Sequence, residues 1–403
     1  MSVSETVSML ENTSANAQAA VAPGRIVALD RARTFGTFLV LLYHSVIDYT
    51  VFGNGDSMRW LGFDLVALFC DSFFMAFMFL ISGLFVHDSL VRRGAVGYAR
   101  HRAWRLGVPL LVSIFVLIPI AYYASFLRYH PAGTTDFNFF HFWWHMLAIG
   151  PWPSGQSWFL WVLLVFDLVA AAVWSTAPRI LTRLGQWIAT LRARPIAALV
   201  AFSVLSVVSY VPMHLAFGDG NWFEPGHYPF PVQSSRILLY PAFFFAGVGI
   251  GAVSLATGLL AENGPIAKRW ALWLAFAVAF YGAILLLVYA HHNWLADFNS
   301  PALWWKVAYG MAFALFSAAM PFTILATSLR LARSSLSLLD AMRPQAYGIY
   351  LLHYMFIIWL QYVMYGLALP AGVKAAIVFI GTLSGSWALT VLLRKIPFVA
   401  RMI

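Results

Sequence analysis

Three side chains near the start of the chain have the types and spacing of an acid–base site. Arg33 and His44 are eleven residues apart, which is three helical turns plus about 20°, so in a helix both lie on one face. Asp48 follows four residues later, where its carboxylate is expected to accept a hydrogen bond from the His44 ring. Such an imidazole can take a proton from a hydroxyl near neutral pH. A histidine that only bonds a neighbouring helix would show the same spacing.

A pair of arginines forms the second candidate site. Arg102 and Arg105 are three residues apart, so a helix would present their two guanidinium groups together. Such a pair matches the oxygens of a phosphate bidentately. A basic anchor at the membrane surface is the alternative, but the presence of Arg33 at the same predicted mouth favours a phosphorylated ligand. We predict no metal site, because no acidic partner at a fixed spacing accompanies the histidines.

Three further ionisable residues fall inside apolar segments, where a charge is costly and marks a functional candidate. They are Asp71, Asp167 and His353. Each is expected either to line a cavity or to connect two helices, an interaction worth about 1 kcal/mol. Together with His44 and Asp48 they would also suit the proton relay of a proton-coupled transporter, which is the alternative function. Against it, the sequence shows no matching halves with paired broken helices.

The elements that must position these side chains are membrane helices. Apolar residues make up 62% of the 403 residues and charged residues only 10%, and the mean hydropathy is +0.78. A soluble chain carries about 25% charged residues, so we predict an all-α, polytopic helical bundle in a lipid bilayer. The net charge of +10 does not indicate nucleic-acid binding, since basic residues collect at the cytoplasmic ends of membrane helices. The single cysteine, Cys70, excludes an intramolecular disulfide.

About ten apolar stretches are long enough to cross roughly 30 Å of hydrocarbon. They cover residues 34–52, 62–87, 106–127, 157–175, 195–216, 236–256, 270–290, 304–326, 345–366 and 371–393. Of the 25 Lys and Arg residues, 20 lie on one set of alternating connections. This asymmetry predicts that both termini are cytoplasmic and that the protein is a multi-pass protein of the inner membrane. Residues 1–24 lack the features of a signal peptide, so we expect a disordered cytoplasmic tail followed by a membrane domain over 25–400.

The predicted outer connections combine aromatic rings with acids. These residues are Trp143, Trp144, Trp152, Trp222, Tyr228, Asp136, Asp219 and Glu224. Rings stack on the C–H faces of pyranoses and carboxylates accept hydrogen bonds from hydroxyls, so such a surface suits a sugar. An interfacial aromatic belt is the alternative explanation for any single tryptophan. The stretch Phe139–Leu147 is too short to span the membrane and suits an interfacial segment or a lid.

These motifs resemble the signature of the acyltransferase-3 family of integral membrane O-acyltransferases. The similarity rests on Arg33, ten intervening residues and His44, followed by the sequence Arg102-Ala-Trp-Arg105. Similar segments elsewhere in the chain are Ala28–Arg33, Leu80–Gly83, Arg105–Pro109, Ser157–Leu160 and Tyr347–His353. The resemblance covers residues from about 25 to 400.

The resemblance implies a reaction. In that family, acyl-CoA on the cytoplasmic side donates an acyl group to a carbohydrate or lipid hydroxyl across the membrane. By position His44 corresponds to the catalytic histidine. We expect it to act as a base or as a covalent acyl carrier, with Asp48, from its spacing, as the orienting carboxylate. Arg33, Arg102 and Arg105 correspond to the side that binds the CoA phosphates. The implied partners are acyl-CoA, a glycan acceptor and the bilayer, with no permanently bound cofactor.

One position departs from the pattern of many family members. Phe77 stands where they carry an aspartate near the end of the second span. The missing aspartate and the proline-bearing start of the third span are similar to the branch that succinylates periplasmic glucans.

Overall fold

The computed structural model describes residues 27–53, 56–130, 138–224, 228–255, 257–294, 301–331 and 337–403. Within these ranges the chain is almost entirely helical, which confirms the predicted all-α bundle. The predicted tail over residues 1–24 lies outside the described residues, and so does Asp136.

The helices follow one another along the chain through mostly short connections. They are α1 (Val27–Val46), α2 (Leu61–Asp71), α3 (Phe74–Gly83), α4 (Val86–Arg102), α5 (Val108–Val112), α6 (Ile118–Tyr129), α7 (Phe139–Ala148), α8 (Trp158–Thr176), α9 (Pro178–Thr190), α10 (Pro195–Phe217), α11 (Leu239–Gly251), α12 (Pro265–Lys268), α13 (Trp270–Trp294), α14 (Leu303–Leu331), α15 (Ser337–Met342), α16 (Ala346–Met364), α17 (Ala371–Leu393) and α18 (Pro397–Ala400). Short 3-10 turns cover Ile47–Tyr49, Gly155–Ser157, Ser234–Arg236 and Arg343–Gln345, and π-helical turns cover Ala103–Gly107 and Ser113–Leu117. A small antiparallel hairpin pairs β1 (Trp222–Phe223) with β2 (Val232–Gln233).

Nine helical stretches of the described residues are long and apolar enough to cross a membrane. They are Leu61–Gly83, Val86–Tyr129, Gly155–Thr176, Pro195–Phe217, Ser234–Gly251, Trp270–Trp294, Leu303–Leu331, Leu338–Met364 and Ala371–Leu393. The first predicted span corresponds to α1, which is outside this set because Asp30, Arg31 and Arg33 occupy its first two turns. Helix α7 has 10 residues, too few to cross the bilayer.

Helix α1 packs inside the bundle rather than at its lipid-facing surface. It contacts α2, α3, α14, α16 and α17, and its residues Leu29, Ala32 and Leu41 are buried. The Arg31 guanidinium donates from Nε and Nη2 to the two carboxylate oxygens of Asp340 on α15, at 2.7 and 2.6 Å. Protein partners thus neutralise charge that lipid could not. This central position explains how a helix with three charged residues holds His44 within the bundle.

Two of the basic connections between predicted spans are helical. The connection between the second and third spans belongs to one 44-residue stretch, Val86–Tyr129, which is kinked at Gly94, where φ is 67°. The basic segment around Arg179 and Arg183 forms α9, which buries one side against the bundle. Arginine and alanine favour helices, so a basic sequence marks the cytoplasmic side without ending the helix there.

The second span is interrupted after Asp71, where α2 ends. The Arg236 guanidinium donates from Nη1 to the Asp71 main-chain carbonyl and to Oδ1, both at 3.0 Å, and from Nη2 to Oδ2. The Ser317 hydroxyl on α14 donates to the carbonyl of Ser72. A helix that ends inside a membrane needs such donors, because no water is present to satisfy its carbonyls. The interruption places a charged pair at the wall of the cavity described next.

Candidate active site

A cavity of about 830 Å³ lies between α1, α2, α3, α6, α8, α11, α14 and α16. This volume is in the range of small-molecule binding sites. The polar side chains in its wall include His44, Asp71, Gln156, Asp219, Glu224, Gln233 and Arg236. The connection carrying Asp219, Trp222 and Glu224 contributes to its wall and belongs to the side that the basic residues mark as the outer one. The cavity therefore joins the interior of the bundle to the predicted outer connections.

The His44 ring has a defined tautomer. Its Nδ1 lies 2.9 Å from the main-chain carbonyl oxygen of Val40, one turn earlier on α1. A carbonyl oxygen can only accept, so Nδ1 carries the hydrogen and Nε2 of the neutral ring is an acceptor. The ring lines the cavity. His44 therefore presents the nitrogen that a general base or a nucleophile needs.

A second imidazole packs against the first. The centroids of the His44 and His353 rings are 5.3 Å apart, and the rings of Tyr43 and Tyr354 contact His44 edge-on at 5.2 and 5.5 Å. His353 is buried, and its Nδ1 lies 2.6 Å from the carbonyl oxygen of Tyr350. Its Nε2 has no hydrogen-bond partner within the described ranges. The aromatic rings restrict the orientation of His44.

The predicted bond between Asp48 and His44 is wrong. Asp48 Oδ2 accepts from Arg128 Nη1 at 2.9 Å. The reason is that α1 ends at Val46 and continues as the 3-10 turn Ile47–Tyr49, so the four-residue spacing of an α-helix no longer applies. The carbonyl of Val40, rather than a carboxylate, orients the ring.

Asp167 and His353, two of the three residues expected at a cavity or between helices, do not line the large cavity. Asp71 does line it, paired with Arg236. Asp167 is fully buried beside α4, where its Oδ2 lies 3.2 Å from Arg102 Nε and its Oδ1 accepts from the Tyr98 hydroxyl. The carboxylates of Asp167 and Asp71 each pair with an arginine from another element. These two residues therefore connect helices, which is one of the two roles that the sequence predicted for them.

The Arg102 guanidinium is bound to the protein through Nε, and its two Nη groups are available to a ligand. Its Nε donates to the Tyr98 hydroxyl at 3.1 Å and lies 3.2 Å from Asp167 Oδ2 as an ion pair. In the described part of the chain its two Nη groups have no hydrogen-bond partner from the protein. A cation that is anchored through Nε and free at its outer edge is suited to a phosphate.

The other two predicted phosphate-binding arginines are more exposed. Arg105 is exposed, and its main-chain carbonyl accepts from the Tyr347 hydroxyl at 2.7 Å. The Arg33 side chain is 44% exposed, and its Nη2 lies 3.7 Å from Asp30 Oδ1. Tyr347 also lies within electrostatic reach of both Arg102 and Arg105. The predicted pair is thus close to a single tyrosine at the start of α16.

Helix α16 connects the arginines to the histidine. None of the three arginines lines the cavity that contains His44. Tyr347 near the first turn contacts the arginine side, whereas His353 and Tyr354, two turns further on, pack against His44. Seven residues of an α-helix rise about 10 Å. The two predicted sites therefore lie at successive levels along one helix.

Sequence reasoning missed several residues that line the cavity or contact its wall. Arg236 is one of the five basic residues outside the set of 20 predicted to be cytoplasmic, yet it is almost fully buried and holds Asp71. His214 was not singled out, although its Nδ1 lies 3.1 Å from Asp219 Oδ2. Gln156, just before the similar segment Ser157–Leu160, also lines the cavity. The sequence offered a signal only for Arg236, because an arginine at the edge of an apolar stretch is a functional candidate.

A family model described as an acyltransferase domain, that of the acyltransferase-3 family, matches residues 26–391. The chain belongs to the acyltransferase-3 family. Membership makes this chain a multi-pass membrane acyltransferase, in agreement with its apolar helices. A comparison with curated proteins gave no match.

Two of the segments that resemble the family lie close to the predicted sites of this acyltransferase. The segment Ser157–Leu160 opens α8 beside the cavity, and Tyr347–His353 forms the part of α16 between the arginines and His44. His44 supplies an acceptor nitrogen at the cavity wall, and Arg102 supplies free donors at the other level. Chemically, the arrangement can bind an anionic group at one level and deprotonate or attack a group at the other.

Proposed function

We propose that this acyltransferase transfers an acyl group from cytoplasmic acyl-CoA to a hydroxyl of a carbohydrate or other cell-envelope acceptor. The observation that carries the proposal is the His44 ring at the wall of the large cavity, with Nε2 left as its acceptor nitrogen. Asp219, Trp222 and Glu224 in the same wall come from the predicted outer connections. The acceptor enters from that side, and the membrane concerned is the inner membrane.

The donor binds at the level of the arginines. Arg102 offers two free Nη groups, and Arg105 and Arg33 are exposed near the same predicted cytoplasmic mouth. Clustered cations steer an anion towards a site, and guanidinium groups suit the phosphates of CoA. The pantetheine arm then extends along α16 towards His44. No permanently bound cofactor or metal is needed, because a thioester is itself an activated acyl donor.

The reaction is a displacement at the thioester carbon. The acceptor oxygen attacks this carbon, a new C–O bond forms, and the C–S bond breaks. His44 Nε2 takes the hydroxyl proton and returns it to the leaving thiolate, which departs as free CoA. In the covalent version of the same proposal, Nε2 first carries the acyl group and then passes it to the acceptor. Both routes use the same nitrogen and release one CoA for each ester formed.

A proton-coupled transporter remains the alternative function, and the interrupted second span is the feature that favours it. Transporter sites are often built from discontinuous helices at mid-membrane, and α2 ends at Asp71 inside the bundle. Membership of the acyltransferase-3 family favours acyl transfer instead. Uptake of a solute without release of CoA would support the transporter.

The test is CoA release by the purified full-length protein in lipid nanodiscs. Acetyl-CoA and succinyl-CoA serve as donors, and free thiol is measured over time with and without an oligosaccharide acceptor. The proposal expects catalytic thiol release that His44→Ala removes. His130→Ala is the matched control, because this histidine is exposed and does not line the cavity. Wild-type protein that is folded but releases no CoA from either donor would refute the proposed function.

A further inference from the structure

A carboxylate is fixed at the cavity wall by two donors from α10. Asp219 Oδ1 accepts from the Tyr210 hydroxyl at 2.7 Å, and Oδ2 lies 3.1 Å from His214 Nδ1. The Asp219 side chain remains 28% exposed and lines the same cavity as His44. An ionised carboxylate has about four acceptor positions, so two have no donor among the described residues and remain for a ligand.

The surrounding backbone holds Asp219 in place. Gly218 has a φ of 68°, a conformation that favours glycine, and it ends α10. The Gln233 side chain on β2 then donates to the Asp219 carbonyl at 2.6 Å. Asn221 accepts from the Ser234 amide at 2.9 Å. The carboxylate is therefore attached both to a membrane helix and to the hairpin.

His214 is enclosed by aromatic rings. It stacks on Tyr210 with an interplanar angle of 19° and contacts Tyr309 at 5.7 Å. A Cβ atom at position 310 would lie 3.0 Å from the His214 ring, so Gly310 allows α14 to approach it closely. The imidazole is 8% exposed and does not line the cavity. Its contact with the cavity is made through Asp219.

The Asp219 carboxyl is ionised at neutral pH. Burial alone would raise its pKa, but the hydrogen bond from His214 and the charge of Arg236 lower the pKa to about 2. The group therefore acts only as a hydrogen-bond acceptor in the working pH range. Hydroxyl groups are the matching donors.

An exposed aromatic ring completes the surface. Trp222 on β1 is 44% exposed, lines the cavity and contacts the Trp158 ring edge-on at 6.2 Å. The tryptophan and Asp219 are separated by only two residues at the base of one hairpin. An apolar ring face beside an ionised carboxylate matches a pyranose, which has apolar C–H faces and equatorial hydroxyls.

Resting on the proposed function, we propose that Asp219 is the acceptor-binding residue of this acyltransferase and selects for a sugar. Its two free acceptor positions bind neighbouring hydroxyls of a pyranose whose C–H face stacks on Trp222. His214 is a positioning residue that acts through Asp219. The subsite brings another hydroxyl of the same acceptor into the cavity that His44 lines.

The experiment measures acceptor-dependent ester formation with the glucose tetrasaccharide cellotetraose, using whichever of acetyl-CoA or succinyl-CoA releases thiol. Asp219→Asn should raise the apparent KM for the tetrasaccharide by about 10-fold or more, because charge-assisted hydrogen bonds are lost. The KM for acyl-CoA should change far less. Asp88→Asn is the matched control, since this acid is exposed and pairs with Arg92 outside the cavity.

Two substitutions of His214 distinguish a role in positioning Asp219 from a role in folding. His214→Asn keeps a donor near the position of Nδ1 and should retain a near wild-type KM for the tetrasaccharide. His214→Leu removes the donor and should raise that KM several-fold. Equal KM values in both variants would refute the positioning role.

The outcomes separate this inference from the proposed function. An unchanged tetrasaccharide KM in folded Asp219→Asn would overturn the role of Asp219. Thiol release in wild type with no ester formed on the tetrasaccharide would overturn the sugar assignment while leaving acyl transfer intact. No thiol release at all would refute the proposed function itself.

Discussion

Nδ1 of His44 lies 2.9 Å from the carbonyl oxygen of Val40, so a main-chain group of the same helix sets the tautomer of this ring. In many acid–base sites a carboxylate orients the imidazole and also stabilises its protonated form. A carbonyl orients the ring but contributes no full negative charge. In the proposed mechanism, His44 therefore accepts the proton only briefly or acts as a nucleophile, and the proton passes on to the leaving thiolate.

The arrangement around Arg102 predicts different effects for the two arginines of the pair. Arg105→Ala should mainly raise the KM for acyl-CoA, since a lost phosphate contact costs about 1.5–3 kcal/mol, or roughly 10- to 150-fold. Arg102→Ala should raise the KM and also lower stability, because it leaves the buried Asp167 without its cation. Steady-state kinetics and thermal unfolding of each variant would test this. Wild-type CoA affinity in both folded variants would exclude the arginines from donor binding.

High salt offers a second test of the same site. Screening weakens exposed charge interactions as ionic strength rises, and Arg33 and Arg105 are exposed. The KM of the wild type for acyl-CoA should therefore increase with salt, and the increase should be smaller in Arg105→Ala. A salt dependence that is identical in the two proteins would contradict phosphate binding by this arginine.

Asp48 should behave as a structural residue. Its partner Arg128 is 9% exposed, and removing one member of a buried ion pair costs about 3–5 kcal/mol. Asp48→Asn and Arg128→Gln should each lower the unfolding temperature, and the double variant should lose less than the sum of the two. Turnover per folded Asp48→Asn molecule should fall much less than for His44→Ala. A large loss of turnover at normal stability would restore the catalytic role first expected for this carboxylate.

The membrane topology is tested by reporter fusions. The distribution of Lys and Arg predicts that a reporter after Arg93 and one after Ile403 lie in the cytoplasm, and that one near Gly220 lies outside. An outer location for the C-terminal fusion would mean that α1 does not cross the membrane or that another span is miscounted.

The class of fold could be predicted from the sequence because hydropathy indicates whether a segment lies in lipid or in water. The positions at which helices end could not be predicted in this way. The spacing from His44 to Asp48 assumed that α1 continued, whereas the helix ends at Val46. The basic connections also gave no sign that segments such as α9 are helical. Charge patterns identify a side of the membrane but do not determine where a helix ends.

Prediction from the sequence was also limited for side chains that pair although they are far apart in the chain. Asp71 and Arg236 are 165 positions apart, and no periodic pattern connects them. Asp219 and His214 are close in sequence, but their contact depends on the turn at Gly218, which lies outside helical spacing. By contrast, the spacing of Arg33 and His44, the spacing of Arg102 and Arg105 and the family resemblance require no knowledge of tertiary packing, so these residues could be proposed from the sequence, and their roles stay predictions.

The central claim is that His44 performs the chemistry, and turnover per folded molecule of His44→Ala tests it most directly. A general base supplies about 10²–10⁴-fold in rate. We predict near-normal expression and acyl-CoA binding, with turnover reduced at least about 100-fold, while His130→Ala remains at the wild-type level. A folded His44→Ala protein that turns over acyl-CoA within a few-fold of wild type would contradict the proposed mechanism.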